Sequence, residues 1–113
     1  MATTNTYTNA KAVLRGNTTV YTAPSAGTSI IKSIRVSNND TANDRTIKIT
    51  VTDSDSVVYT LETERTIQKK RSEELLNSYS FSTSPIILKS SEILKATATG
   101  SDVHIIVSVL EMT

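Results

Sequence analysis

The side chains able to do chemistry are few, because the chain carries one histidine, His104, and no cysteine. A catalytic or metal-bound histidine needs partners at a diagnostic spacing, either a nucleophile with an orienting acid or further ligands. None stands near His104, which sits in the apolar run 102–112 (DVHIIVSVLEM), out of phase with Val103 and Ile105. It reads as a half-exposed strand histidine. Asp40, Asp44, Asp53 and Asp55 fall in two polar stretches that loops at one or both ends of a sandwich would gather. Oxygen-rich loops suit Ca²⁺, but the DSDS segment lacks the Gly and the distal Glu of a calcium loop. Turn formation accounts for Asp at such places. Lys69, Lys70 and Arg71 form a basic run followed at once by Glu73 and Glu74. A nucleic-acid patch asks for more positive charge and for aromatic platforms. The run reads instead as a solvated face or as a salt-bridged contact between subunits. No phosphate loop, nucleophile elbow or metalloprotease helix motif occurs. The expectation is a chain with no enzymatic activity, no cofactor and no metal.

The bulk properties agree. At 113 residues the chain is expected to form one domain with a modest two-layer core. Its 12 basic and 11 acidic residues give a net charge of +1, too weak a field to argue for nucleic acid or an anionic membrane surface. Without cysteine there are no disulfides, and no apolar run approaches the roughly 18 residues of a membrane-spanning helix. Residues 1–10 are polar and uncharged, unlike a signal peptide, so a soluble protein made in a cytoplasm is expected. Nearly one residue in three is Ser or Thr, and the aromatics are four Tyr and one Phe. Thr is β-branched and suits a solvated sheet face. The core must be aliphatic, and a thin aliphatic core gains support from neighbouring subunits.

These residues are positioned by strands. Residues 1–9 show no apolar period and read as an N-terminal arm, flexible or ordered by a partner, with Tyr7 as its anchor. A single β-sandwich domain over 10–113 follows. Residues 11–15 and 18–22 predict two short strands around a Gly16-Asn17 turn, and Pro24 to Gly27 a second turn. Residues 28–38 give the strongest strand, with Ile30, Ile34 and Val36 on one face and Ile31, Ser33, Arg35 and Ser37 on the other. Residues 45–53 place Ile47, Ile49 and Val51 inward, and residues 56–62 repeat the pattern with Val57, Tyr59 and Leu61, a hairpin. Eight of the 13 residues in 62–74 are charged, which favours an exposed loop or edge ribbon, or else one helical turn at 72–74, followed by a strand from Leu75 to Phe81. Residues 85–89, 92–99 and 102–112 supply the remaining strands. The last is apolar on both faces, with Ile106, Leu110 and Met112 opposite Val103, Ile105, Val107 and Val109. Such a strand is covered twice or lies at a subunit contact. Eight or nine strands at this spacing predict an all-β protein, an antiparallel β-sandwich or jelly-roll-like barrel.

Residues 18–40, TTVYTAPSAGTSIIKSIRVSNND, resemble the opening of small virion structural proteins of tailed bacteriophages, including those of marine cyanophages. That group combines a Leu/Val-Tyr-Thr-Val-Pro-Ala-Gly strand and turn with an Ile-x-x-Ile-x-Val-x-Asn strand. Here the matching residues are Val20-Tyr21-Thr22-Ala23-Pro24, Gly27, and Ile31, Ile34, Val36 and Asn38. Residues 88–94 (LKSSEIL) are similar to the group's Leu-x-x-Gly-Asp-x-Leu turn, with Ser90-Ser91-Glu92 replacing Gly-Asp. Val107-Ser108 and Glu111 resemble its C-terminal Val-Ser-x-x-Glu. The charged segment 62–74 has no counterpart in the pattern. The resemblance implies a virion protein made in the host cytoplasm, a capsid decoration subunit or a tail-, neck- or fibre-associated one. Its partners would be further copies of itself and other virion proteins, without nucleic acid or membrane. The subunit-contact residues expected on this reading are Tyr7, Lys69, Lys70, Arg71, Ile106, Leu110 and Met112. The alternative is a module that recognises host-surface glycans through the sandwich-end loops, for which the scarce aromatics argue poorly.

Overall fold

Strands form where β-branched and aliphatic residues alternate with Ser, Thr and charged side chains, and polar Asn, Asp, Gly and Ser punctuate them. A computed structural model of the chain describes residues 4–76, 86–100 and 102–113. Among these residues nine strands are present and no helix: β1 (Asn5–Leu14), β2 (Thr18–Thr22), β3 (Thr28–Asn38), β4 (Arg45–Thr52), β5 (Val58–Ile67), β6 (Ser72–Glu74), β7 (Ile86–Leu88), β8 (Ile93–Ala98) and β9 (Val103–Met112). They make two antiparallel sheets. One has the order β1-β9-β3, with β6 and β7 both bonded to the far edge of β3; the other runs β2-β8-β4-β5. The expected β-sandwich is what the chain forms.

The core between the sheets is aliphatic. Val103, Ile105, Val107 and Val109 of β9 lie against Ile31, Ile34 and Val36 of β3, with Ile47, Ile49 and Leu94 from the opposite sheet. Burial of each such side chain is worth about 1.5–3 kcal/mol, so these residues supply most of the driving force. Two polar ties close one end. Asn38, at the end of β3, is 1% exposed. Its amide nitrogen donates to the Ile67 and Asn43 carbonyls at 2.9 and 3.1 Å, and its Oδ1 accepts from the Asp40 N–H at 3.0 Å. At the same end the Arg45 guanidinium bonds Asp40 at 2.5 Å and approaches Asp102 at 3.7 Å. It lies so close under Gly100 (φ 104°) that a Cβ there would meet it at 2.7 Å.

Several expectations give way to the observed register. Residues 5–9 are not an arm, because β1 begins at Asn5 and pairs residue for residue with β9, from Asn5 opposite Met112 to Leu14 opposite Val103. The Thr and Asn side chains there leave the backbone free to extend a ladder that β9 offers. The straight alternation expected in β3 is broken by a β-bulge between Ile31 and Ser33. Ser29 and Ile31 therefore point inward, and beyond the bulge Ile34, Val36 and Asn38 do so. Ile30 leaves the expected inward set. Val57, Tyr59 and Leu61 are 46, 55 and 42% exposed rather than inward. The hairpin of β4 and β5 forms as expected, but β5 is the edge strand and its ladder slips twice. The charged segment 62–74 continues β5 to Ile67, turns at 69–70 with Lys70 at φ 59°, and enters β6. The strand at 72–74 replaces the alternative of a helical turn. Leu75 and Leu76 are buried after β6, and Leu75 N–H donates to the Ile34 carbonyl at 2.8 Å. The remainder of the strand expected to Phe81, with Tyr79, lies outside the described residues.

Candidate functional site

Directly opposed residues on neighbouring strands face the same side of a sheet. The register therefore writes out the outer face of the five-stranded sheet row by row. Tyr7 stands opposite Leu110, Leu110 opposite Ile30, and Ile30 opposite Ile87. Four consecutive strands thus present an unbroken apolar row to the outside. Tyr7 is 76% and Ile87 52% exposed, with Ile30 and Leu110 half-buried between them. On one side of this row Met112 lies between Asn5 and Thr28. On the other, past a polar row of Asn9, Ser108 and Ser33, Ile106 lies between Lys11 and Arg35. His104 completes the face, exposed between Val13 and Ser37.

The face carries both signs of charge. Lys11 and Arg35 are its cations, and the Glu74 carboxylate stands directly opposite Arg35. It accepts from the Ser33 hydroxyl and from the N–H groups of Ile34 at 2.8 Å and Leu76 at 3.3 Å. The face is an apolar stripe bordered by polar and charged residues of both signs.

Beneath it a polar tie couples the two sheets. Tyr21 of β2 is 8% exposed, and its hydroxyl donates to the Glu111 carboxylate of β9 while accepting from the Ser29 hydroxyl of β3 at 2.9 Å. Burial, and then the bond to the Glu111 carboxylate, push the Tyr21 hydroxyl up to about 12. In the β3–β4 loop, Asp40 is held down at about 2. The Ala42 N–H is the leading cause, and the Asn43 backbone and side chain and Arg45 add to it. Both groups hold structure together.

Of the seven expected contact residues, the structure brings Tyr7, Ile106, Leu110 and Met112 onto this one face. Lys69, Lys70 and Arg71 are elsewhere. They form the turn after β5, where Lys69 N–H donates to Asp44 Oδ1 at 3.0 Å, Lys70 N–H to the Asp40 carbonyl at 3.2 Å, and the Arg71 carbonyl accepts from Asn38 N–H at 2.8 Å. That turn is eight strand residues beyond Ile30, or about 26 Å along β3. Asp53 and Asp55 lie at the opposite end of β4 from Asp40 and Asp44, so the four do not converge. Among the described residues no group of three His, Cys, Asp or Glu could hold a metal ion. Sequence reasoning missed Ile30 and Ile87. The alternation of 85–89 could have marked Ile87, but only the bulge reveals Ile30.

No protein-family model matches the chain, and no curated protein matches it. Among solved structures, the chain is similar to one in the acidic stable capsid structure of Helicobacter pylori bacteriophage KHP30. The two share 14% identity at a TM-score of 0.50, over 99% of this chain and 94% of that one. At that identity the likeness is one of fold, and it spans nearly the full length of both chains.

Proposed function

We propose that the protein is a non-catalytic structural subunit of a bacteriophage virion, either a capsid decoration protein or a tail-, neck- or fibre-associated one. It acts by burying the outer face of its five-stranded sheet against neighbouring subunits. The observation that carries this reading is the apolar row Tyr7, Leu110, Ile30 and Ile87 crossing four strands of a sheet whose other face already fills the core. A continuous exposed apolar stripe marks a surface meant for contact. The full-length likeness to a chain in a phage capsid structure, and the virion-protein pattern at 18–40, support a particle as the place of contact. A glycan module would need grouped aromatic platforms. Among the described residues the exposed tyrosines, Tyr7 and Tyr59, lie on different sheets.

The test is incorporation. Particles of the phage that encodes the chain are purified by density and their proteins quantified by mass spectrometry. The protein is expected at a fixed copy number per particle. A double variant, Ile30→Asp with Ile87→Asp, should be lost from particles while the isolated protein melts as before. Absence of the wild type from particles, or wild-type incorporation of the variant, overturns the reading.

A further inference from the structure

Sheet edges are hazards, and proteins blunt them with short strands, bulges, proline or charge. Among the described residues, three of the four edge positions are blunted in this way. β2 has five residues and a register shift between Thr19 and Tyr21. β6 and β7 have three residues each. β5 carries Glu62, Glu64 and Arg65 and slips twice against β4. β1 has none of these protections in its first half. It is ten residues long, keeps an unbroken register with β9, contains no proline, and is uncharged from Asn5 to Ala10.

The free backbone groups of that edge can be assigned. Thr4 N–H donates to the Thr113 carbonyl at 3.1 Å and Thr113 N–H donates back to Thr4 at 2.9 Å, a reciprocally bonded pair. Bonded and non-bonded pairs alternate along an antiparallel ladder. Thr6, Thr8 and Ala10 therefore bond β9, whereas Asn5, Tyr7 and Asn9 turn their N–H and C=O groups to the open edge. Asn5, Thr6 and Tyr7 are also exposed side chain by side chain, so this half of β1 is held by one ladder alone.

We propose that two copies of the chain join edge to edge through β1, antiparallel, with Tyr7 on the two-fold axis. Asn5 of each copy then bonds Asn9 of the other, and the two five-stranded sheets become one of ten strands. Three features select a second copy and this register. The edge is a strand, and only another extended backbone satisfies its alternating donors and acceptors. The segment from Asn5 to Asn9 is uncharged, so an isologous pairing brings no like charges together, and Lys11 falls outside it. Tyr7 is the end of the apolar row, so an axis at Tyr7 joins the row of one copy to that of the other without interruption. The seam stands whether or not the chain belongs to a virion.

The experiment measures mass in solution on the full chain at high micromolar concentration, by native mass spectrometry and light scattering. Two chains of 12.3 kDa per particle are expected. Asn5→Pro removes an N–H that faces the open edge and leaves the bonds to β9 in place. It should yield a monomer with unchanged circular dichroism and melting. The chain has no cysteine, so a single introduced one reports the register. Across a bonded pair the Cα atoms lie about 5.5 Å apart, within disulfide reach. Tyr7→Cys should therefore link two copies under mild oxidation, and Asn9→Cys, whose counterpart is Asn5, should not. A wild-type monomer, a dimer indifferent to Asn5→Pro, or a dimer linked by Cys at 9 and not at 7 each overturns the proposal.

Discussion

Replacing Tyr21 by Phe isolates one polar tie between the sheets. The ring, 8% exposed, keeps its packing, and only the hydroxyl is lost. That hydroxyl makes two bonds, a neutral one with Ser29 and a charge-assisted one to Glu111. A neutral bond contributes about 0.5–1.5 kcal/mol net and a bond to a charged group about 1.5–3. Glu111 is half-buried and can recover water once the hydroxyl is gone, so the low end applies and the loss is about 2 kcal/mol. For a chain of 113 residues the entropy of unfolding is about 240 cal/mol/K, so each kcal/mol moves the midpoint by about 4 °C. Tyr21→Phe should melt about 8 °C below wild type at pH 7.

The pH dependence supplies the refutation. The folded state raises the Tyr21 hydroxyl from 10.0 to about 12 because burial and the neighbouring carboxylate oppose its ionisation. A raised value means that the contribution is whole below pH 10 and is lost as pH climbs through about 12. The Phe variant has no such group, so the gap between the two proteins should close over that window. Calorimetry or circular-dichroism melts of both proteins from pH 7 to 12 give the answer. A gap under about 1 °C at pH 7 would refute the bond assignment. So would a full gap that persists unchanged at pH 12. Coupling to Glu111 can be read in the same assay, because Glu111→Gln should cost less in the Phe background than in wild type.

The Asp40 carboxyl is lowered from 3.8 to about 2, so its contribution is present above pH 3.8 and lost as pH falls through about 2. Asp40→Asn should therefore melt below wild type at pH 7 and converge with it in acid melts near pH 2. Gly27 sits at φ 90° with the Met112 carbonyl 2.1 Å from where a Cβ would stand. Gly27→Ala should cost at least about 2 kcal/mol in urea unfolding, from the strained backbone alone. Asn38→Ala strips three side-chain bonds from a site 1% exposed and should cost about 2–4 kcal/mol by the same measurement. Deleting Lys32, the extra residue of the β3 bulge, should leave Ile31, Ile34 and Val36 inward and the protein folded. Under uninterrupted alternation the same deletion would put Ile30 and Ile34 on opposite faces, so a chain unable to fold would place the bulge elsewhere.

The strands were legible where period-2 alternation ran against turn residues. β2 and β3 fall on the expected residues, and β4, β8 and β9 lie within a residue or two of them. What misled was pairing. Thr and Asn at 5–9 carry no alternation of their own, and they become strand because β9 extends alongside as a ready ladder. Val57, Tyr59 and Leu61 do alternate, yet an edge position with a slipping ladder leaves them exposed. Alternation reports two unequal faces; it cannot say which neighbour covers either one. Asn38 stood in the family-like pattern as a bare letter. Its buried amide, holding the β3–β4 loop to the end of β5, explains why that position suits an amide and no apolar residue.

The proposed contact face was half legible for the same reason. A run apolar on both sides, as in β9, already signals two covers, and Ile106, Leu110 and Met112 follow from it. Ile30 does not, because straight counting puts it with Ile34 and Val36 in the core. One inserted residue resolves two demands that plain alternation sets against each other. Ile34 and Val36 stay in the core, and Ile30 moves outside to stand beside Leu110. Each inward side chain is worth about 1.5–3 kcal/mol, so the core holds its half of β3 in place and the bulge absorbs the mismatch. The row from Tyr7 to Ile87 exists only because of that bulge. The register break exchanges Ile30 for Ile31 in the core and completes an apolar stripe on the side facing solvent, which is what the proposed contact requires.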